Sequence, residues 1–225
     1  YNGTSWNTLG SQIDGSSNSG FGRSVSLSSD GTILAIGAPL HNNTSLGYVK
    51  IYKYNGSSWN FMSVDSSISD TIDSEDAIDG STSSKFGFAV SISSDGNILA
   101  VGAPAHNSNT GYVKTYIYNG TSWNTLGSQI TGSTNDKLGN SVSLSYDGSI
   151  ISIGLPGTTA NSIAMRGKVE IYSLSQNSLH PTKVLKMNDN TSGKTLVANG
   201  NEFVPDFIPL TSLSDTPSSL GSAGQ

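Results

Sequence analysis

FGRSVSLSSDGTILAIGAPLHN occupies residues 21–42, returns as FGFAVSISSDGNILAVGAPAHN at 86–107, and returns again in weakened form as LGNSVSLSYDGSIISIGLPG at 138–157. The three copies start 65 and 52 residues apart. Within the first copy Val25 and Leu27 alternate with Ser24, Ser26 and Ser28, the period of two that predicts a half-buried strand. Ser29-Asp30-Gly31 then reads as a tight turn, because Gly accepts positive φ and Asp bonds the nearby backbone. Residues 33–38 are almost wholly apolar and predict a second strand buried on both faces, ended by Gly37 and Pro39.

A third element follows each copy: GYVKIYKY at Gly47, GYVKTYIY at Gly111 and GKVEIYSL at Gly167. In the first of these Val49 and Ile51 share one face while Tyr48, Lys50 and Tyr52 share the other. Next comes Asn55-Gly56, which predicts a two-residue type I′ hairpin, and then a fourth strand carrying Trp59. The fourth-strand motif is itself repeated: YNGTSWNTLGSQI stands unchanged at residues 1–13 and 118–130, with YNGSSWN at 54–60. Antiparallel four-stranded units of this length bury too little to stand alone and pack face to face as propeller blades. A stacked β-solenoid is the alternative architecture. The reading is thus an all-β protein, a β-propeller of four-stranded antiparallel blades followed by an extended, short-strand tail. Residues 1–173 carry the repeats, with an outer strand at 1–13 and blades at about 21–64, 86–130 and 138–173; residues 174–225 form a C-terminal linker or fibre-like module.

Phe-Gly, then Gly-Ala-Pro, then Gly-x-Val-x-Ile-Tyr, resembles the FG-GAP repeats of integrin α-subunit β-propellers. The combination with Asn-Gly-x-Ser-Trp looks closer to tandem propeller repeats of algal, bacterial and large-virus surface proteins. The third unit departs from the pattern, with Leu138 in place of Phe and Leu155 in place of Ala. Calcium-binding members carry several carboxylates in the loop between the first two strands. Here Asp30, Asp95 and Asp147 stand alone in their turns, too few for a cation that takes six to eight oxygens. We expect them to be turn formers.

One leading strand, two complete units and a third unit of three strands do not make a ring by themselves, since propellers have four to eight blades. We expect further blades upstream of Tyr1 in a longer polypeptide, or a ring built from two or more chains. The leading strand could alternatively complete the unit that ends at Tyr172. Beyond that residue the texture changes: Pro181, Pro205, Pro209 and Pro217 punctuate the tail. Leu213-Ser214-Asp215-Thr216-Pro217, Gly221-Ser222-Ala223-Gly224-Gln225 and the stretch from Gly193 to Phe203 resemble the linking modules of phage tail fibres and virion appendages. A plain linker is the competing reading.

Charged residues make up 12% of the 225-residue chain, against about 25% in ordinary domains. The net charge of −5 and the lack of a basic cluster argue against nucleic-acid binding. No apolar run approaches the roughly 20 residues that span a bilayer, so we expect no membrane insertion. The absence of cysteine removes disulfides and thiolate sites. His41 and His106 are repeat-equivalent and His180 has no visible partner; none predicts a metal site, and no cofactor is implied. The insertion VDSSISDTIDSEDAIDG places Asp65, Asp70, Asp73, Glu75, Asp76 and Asp79 together. It reads as a solvated acidic loop between blades, with a divalent cation as the weaker alternative; its spacing fits no EF-hand.

Asn2, Asn42, Asn43, Asn55, Asn119 and Asn190 begin Asn-x-Ser/Thr triplets. Trp6, Trp59 and Trp123 recur at one phase and read as blade packing, though aromatics beside Asn and Ser also suit sugars. We expect a non-enzymatic protein of the virion surface or the extracellular space. Its propeller would attach to host glycans or receptors, and its C-terminal segment would join other virion or surface proteins. Self-association and a secreted or cell-surface adhesion propeller unrelated to a virus are the other expectations.

Overall fold

The structure, a computed structural model, describes residues 3–40, 46–62, 78–79, 83–157, 166–174, 182–185, 197–199 and 202–204. The chain divides into two units, Tyr1–Lys186 and Met187–Gln225. In the first, three antiparallel meanders follow one another. The first blade comprises β1 (Ser24–Leu27), β2 (Ile33–Ala38), β3 (Tyr48–Tyr54), β4 (Trp59–Phe61) and the short β5 (Ile78–Asp79). The second comprises β6 (Ala89–Ile92), β7 (Ile98–Ala103), β8 (Tyr112–Tyr118) and β9 (Trp123–Thr131), with a helical turn α1 (His106–Asn109) between β7 and β8. The third comprises β10 (Ser141–Leu144), β11 (Ile150–Leu155), β12 (Lys168–Ser173) and β13 (Thr182–Leu185). Each sheet keeps simple sequential order. In the second unit, β14 (Val197–Asn199) pairs with β15 (Glu202–Val204). Among the described residues no helix is long and apolar enough to cross a membrane.

The blades hold together because the middle strand of the second blade is buried on both faces. In β7, Leu99, Val101 and Ala103 join an apolar cluster with Ile33, Val49, Ile51 and Met62 of the first blade. Ile98 and Ala100 join a different cluster with Ile151, Ile153 and Leu155 of the third. Each large side chain so buried contributes roughly 1.5–3 kcal/mol. Backbones approach closely between these clusters. A Cβ added at Gly37 would lie 2.0 Å from the Gly87 carbonyl oxygen, and one at Gly102 would lie 2.1 Å from that of Gly139. Glycine is required there because any side chain would wedge the sheets apart.

Serine hydroxyls stitch the inner strands across the same junctions. Ser24 Oγ donates to Gly87 O at 2.8 Å, and Ser26 Oγ accepts from Ile92 N at 3.0 Å. Leu144 N donates to Ser91 Oγ at 3.0 Å. Thus the Ser face of one inner strand serves the following blade and its Val/Ile/Leu face serves the preceding one. Val90 and Ile92 are buried accordingly. The alternation read in the first copy has a different outcome: Val25 and Leu27 are 62% and 55% exposed, since no preceding blade covers them.

Several sequence expectations are corrected by the coordinates. Residues 3–13 form no strand, whereas the identical letters at 118–130 supply most of β9. Their place is nonetheless on the first blade: Trp59 Nε1 donates to Leu9 O at 3.0 Å, and Ser16 Oγ hydrogen-bonds the Tyr48 hydroxyl. The leading segment does not complete the third blade, because Thr182–Leu185 takes that edge of β12. That strand belongs to the first unit, which runs to Lys186. The Asn55 hairpin is not type I′, which needs positive φ at both central residues. Asn55 lacks it. The loop spans four residues between paired Tyr54 and Trp59, and Asn55 Oδ1 accepts from Ser57 N and Ser58 N, both at 2.9 Å.

Most of the acidic insertion lies outside the described residues, which include only Ile78 and Asp79 of it. β4 and β5 both pair with β3, at Tyr52–Tyr54 and Tyr48–Val49 respectively. Two segments of the chain thus share the outer edge of β3. In the second blade β9 shows a register shift at the matching point, between Val113 and Thr115 of its partner.

The close approach at the glycines yields a paired prediction. Gly102→Ala will destabilise the fold by roughly 1–3 kcal/mol, the cost typical of overpacking. Gly154→Ala will cost the single chain less, because within the chain its Cβ would meet only the rotatable Ser141 side chain, with Oγ at 2.2 Å. Urea unfolding midpoints of the two variants check the difference.

Candidate functional site

The three Asp-Gly turns follow the inner strands and line up side by side. In the first, Ile33 N donates to Ser28 Oγ at 2.9 Å, and Ser28 Oγ donates to Asp30 Oδ1 at 2.6 Å. Thr32 completes the turn, its N on Asp30 Oδ1 at 2.9 Å and its Oγ1 on Oδ2 at 2.8 Å. Ser93, Asp95, Asn97 and Ile98 repeat this arrangement, as do Ser145, Asp147, Ser149 and Ile150. Each carboxylate thus organises its own turn, as expected of a residue placed between strands. Backbone bonds then join the turns into a row: Ser29 N donates to Ser94 O and Ser94 N to Tyr146 O, both at 2.9 Å.

These bonds also set the charge of the row. Hydrogen bonds from Ser28 and Thr32 hold Asp30 down at about 2, and bonds from Ser145 and Ser149 do the same for Asp147. At Asp95 partial burial works the other way, but the bonds from Ser93 and Asn97 outweigh it and the value is lowered. All three are anions at neutral pH.

Ser29, Asp30, Ser94, Asp95, Tyr146 and Asp147 line a shallow cavity of about 360 Å³. Tyr146 takes the position that Ser29 and Ser94 hold in the other turns, and its side chain is 81% exposed. Sequence reasoning quoted this turn but did not single out the ring; the Ser-to-Tyr change between copies was the available signal. At the opposite end of the inner strands, Lys85, Phe88, Asn109, Lys137 and Asn140 line a cavity of about 210 Å³, which sequence reasoning also missed.

Of the expected site residues, Asp70, Asp73, Glu75 and Asp76 lie outside the described residues, as do Asp65, His41 and His180. Asp79 ends β5, opposite Tyr48. His106 packs edge-on against Tyr112, ring centroids 4.9 Å apart. The three tryptophans diverge: Trp123 is fully buried, Trp59 is half-buried and Trp6 is 85% exposed. Among the described residues no group of three or more His, Asp or Glu side chains converges as a metal centre would require. Glu170 is buried but spoken for, accepting from the Tyr172 hydroxyl and lying 3.1 Å from Lys168 Nζ. Burial, and then that bond and the Glu170 charge, push the Tyr172 hydroxyl well above its usual range.

No protein-family model and no curated protein matches this chain. Among solved structures it is similar to a hypothetical selenium-binding protein from Sulfolobus tokodaii, at 10% identity and a TM-score of 0.46, covering 71% of this chain. The chain spans 39% of the length of that structure.

Because Asp30 and Asp147 are held below their ordinary value of 3.8, they favour the folded state above that pH. The contribution is lost as pH falls through about 2. The denaturation midpoint should therefore drop between those two values, and Asp30→Asn with Asp147→Asn should flatten this part of the profile.

Proposed function

We propose that this chain is a non-enzymatic attachment protein, a propeller that binds glycans at the row of Asp-Gly turns and belongs to a virion surface or fibre. The observation that carries the glycan reading is the exposed Tyr146 ring beside serine hydroxyls and ionised carboxylates in one shallow cavity. A sugar ring presents C–H groups to an aromatic face and hydroxyl donors to carboxylate oxygens. Three anions in the row favour neutral or amino sugars over acidic ones. Binding, and not turnover, is the natural use of these groups, since each carboxylate already accepts bonds within its turn and none adjoins an activated nucleophile.

The virion assignment is supported by the tail phrases at residues 193–203, 213–217 and 221–225, which resemble fibre and appendage modules. In this reading the C-terminal unit joins other virion proteins and the blades face the host. A secreted or cell-surface adhesion propeller would use the same sugar chemistry, and co-purification with virus particles separates the two.

A glycan array will test the site. Wild-type protein should bind a subset of neutral or amino sugars, and Tyr146→Ala should weaken that binding about tenfold or more, equivalent to roughly 1.4 kcal/mol of stacking. An array without any bound sugar, or a Y146A variant that binds as well as wild type, removes the assignment.

A further inference from the structure

The two junctions between blades are built alike, so the residues that make them can be matched by position. On the side facing the following blade these are Ser24, Ser26, Ile33, Gly37 and Val49, repeated in the second blade by Ser91, Ile98, Gly102 and Val113. Ile33 and Ile98 are each 7% exposed, and Val49 and Val113 are fully buried. Ile33 covers Gly96, where an added Cβ would meet its Cγ1 at 2.7 Å; Ile98 covers Gly148 in the same way. On the side facing the preceding blade the set is Phe86, Gly87, Val90, Ile92 and Gly96, then Leu138, Gly139, Val142, Leu144 and Gly148.

Both sets occur once more, with no partner blade among the described residues. The third blade presents Ser141, Ser143, Ile150, Gly154 and Val169 outward, with Ile150 45% and Val169 64% exposed. The first blade presents Gly22, Val25, Leu27 and Gly31. Val25 and Leu27 are exposed, and nothing lies within 4 Å of a Cβ at Gly22 or Gly31, whereas Gly87 and Gly96 are tightly covered. These are the two halves of one junction, at opposite ends of the row.

The geometry points to a second copy of this chain as the occupant: the third blade of one copy seats on the first blade of another. Ile150 would cover the partner copy's turn at Gly31, and Val169 would face Phe21. Ser143 Oγ would accept from the backbone N–H of Leu27, as Ser26 does from Ile92. Tyr146 N would donate to Ser29 O, as Ser94 N does to Tyr146 O. The contact is heterologous, so it repeats until the rotation closes. The described residues form three such blades, too few for a ring; two copies supply about six, within the four to eight that propellers use.

Sedimentation velocity on the 225-residue chain tests this. Wild type should run at twice the chain mass. Val25→Asp with Leu27→Asp, and separately Ile150→Asp with Val169→Asp, should each weaken association more than about a hundredfold, in line with loss of a central apolar contact. All four side chains are exposed, so folding survives, as near-ultraviolet circular dichroism will confirm. Mixing the two double variants should restore one-to-one dimers, because each retains the half that the other has lost. A monomeric wild type, a dimer indifferent to both variants, open filaments in place of a closed pair, or a mixture that stays monomeric would each overturn the proposal.

Discussion

A close approach between blades, glycine Cα against glycine carbonyl, governs most of what surrounds it. Gly37 meets Gly87 and Gly102 meets Gly139 at distances that leave no room for a methyl group. Sheets brought this near let serine hydroxyls reach backbone amides of the neighbouring blade, and they let branched side chains interdigitate on either side. A hydroxyl drawn partly out of water needs a partner, and the junction supplies one for the half-buried Ser24, Ser26 and Ser91. This explains why a chain so poor in charge is rich in Ser and Gly: small residues set the spacing, and their polar atoms are satisfied by the spacing they set.

Legibility in the sequence followed this logic. Strands and turns of the three units could be read, because alternation and Asp-Gly punctuation are local signals. The middle strand of the first unit was recognisable as doubly buried, since ILAIGA has no polar face. What could not be read was anything that depends on which neighbour is present. Val25 and Val90 sit in matching contexts, yet one faces solvent and the other the core. The fourth strand of the third blade carries none of the Asn-Gly-x-Ser-Trp letters, because an edge strand needs only backbone pairing with β12. The Asn-Gly hairpin was placed correctly but its turn type was not: the asparagine side chain, bonding two amides, took over the role assigned to backbone φ.

The candidate site was the least legible part. Its carboxylates were read as turn formers, which they are. Their alignment into a row comes from backbone bonds between blades that no local pattern announces. The tyrosine that gives the row an aromatic face was hidden by its position in a degraded repeat, where differences from the consensus look like decay.

Residues 1–13 and 118–130 share every letter and little of their structure. One copy, described from residue 3, forms no strand and leaves Trp6 85% exposed; the other supplies all but the last residue of β9, with Trp123 fully buried. An antibody raised against this peptide would meet a single accessible epitope on the native protein and two on the unfolded chain. The molecule therefore carries its own internal gauge of denaturation, written in duplicate.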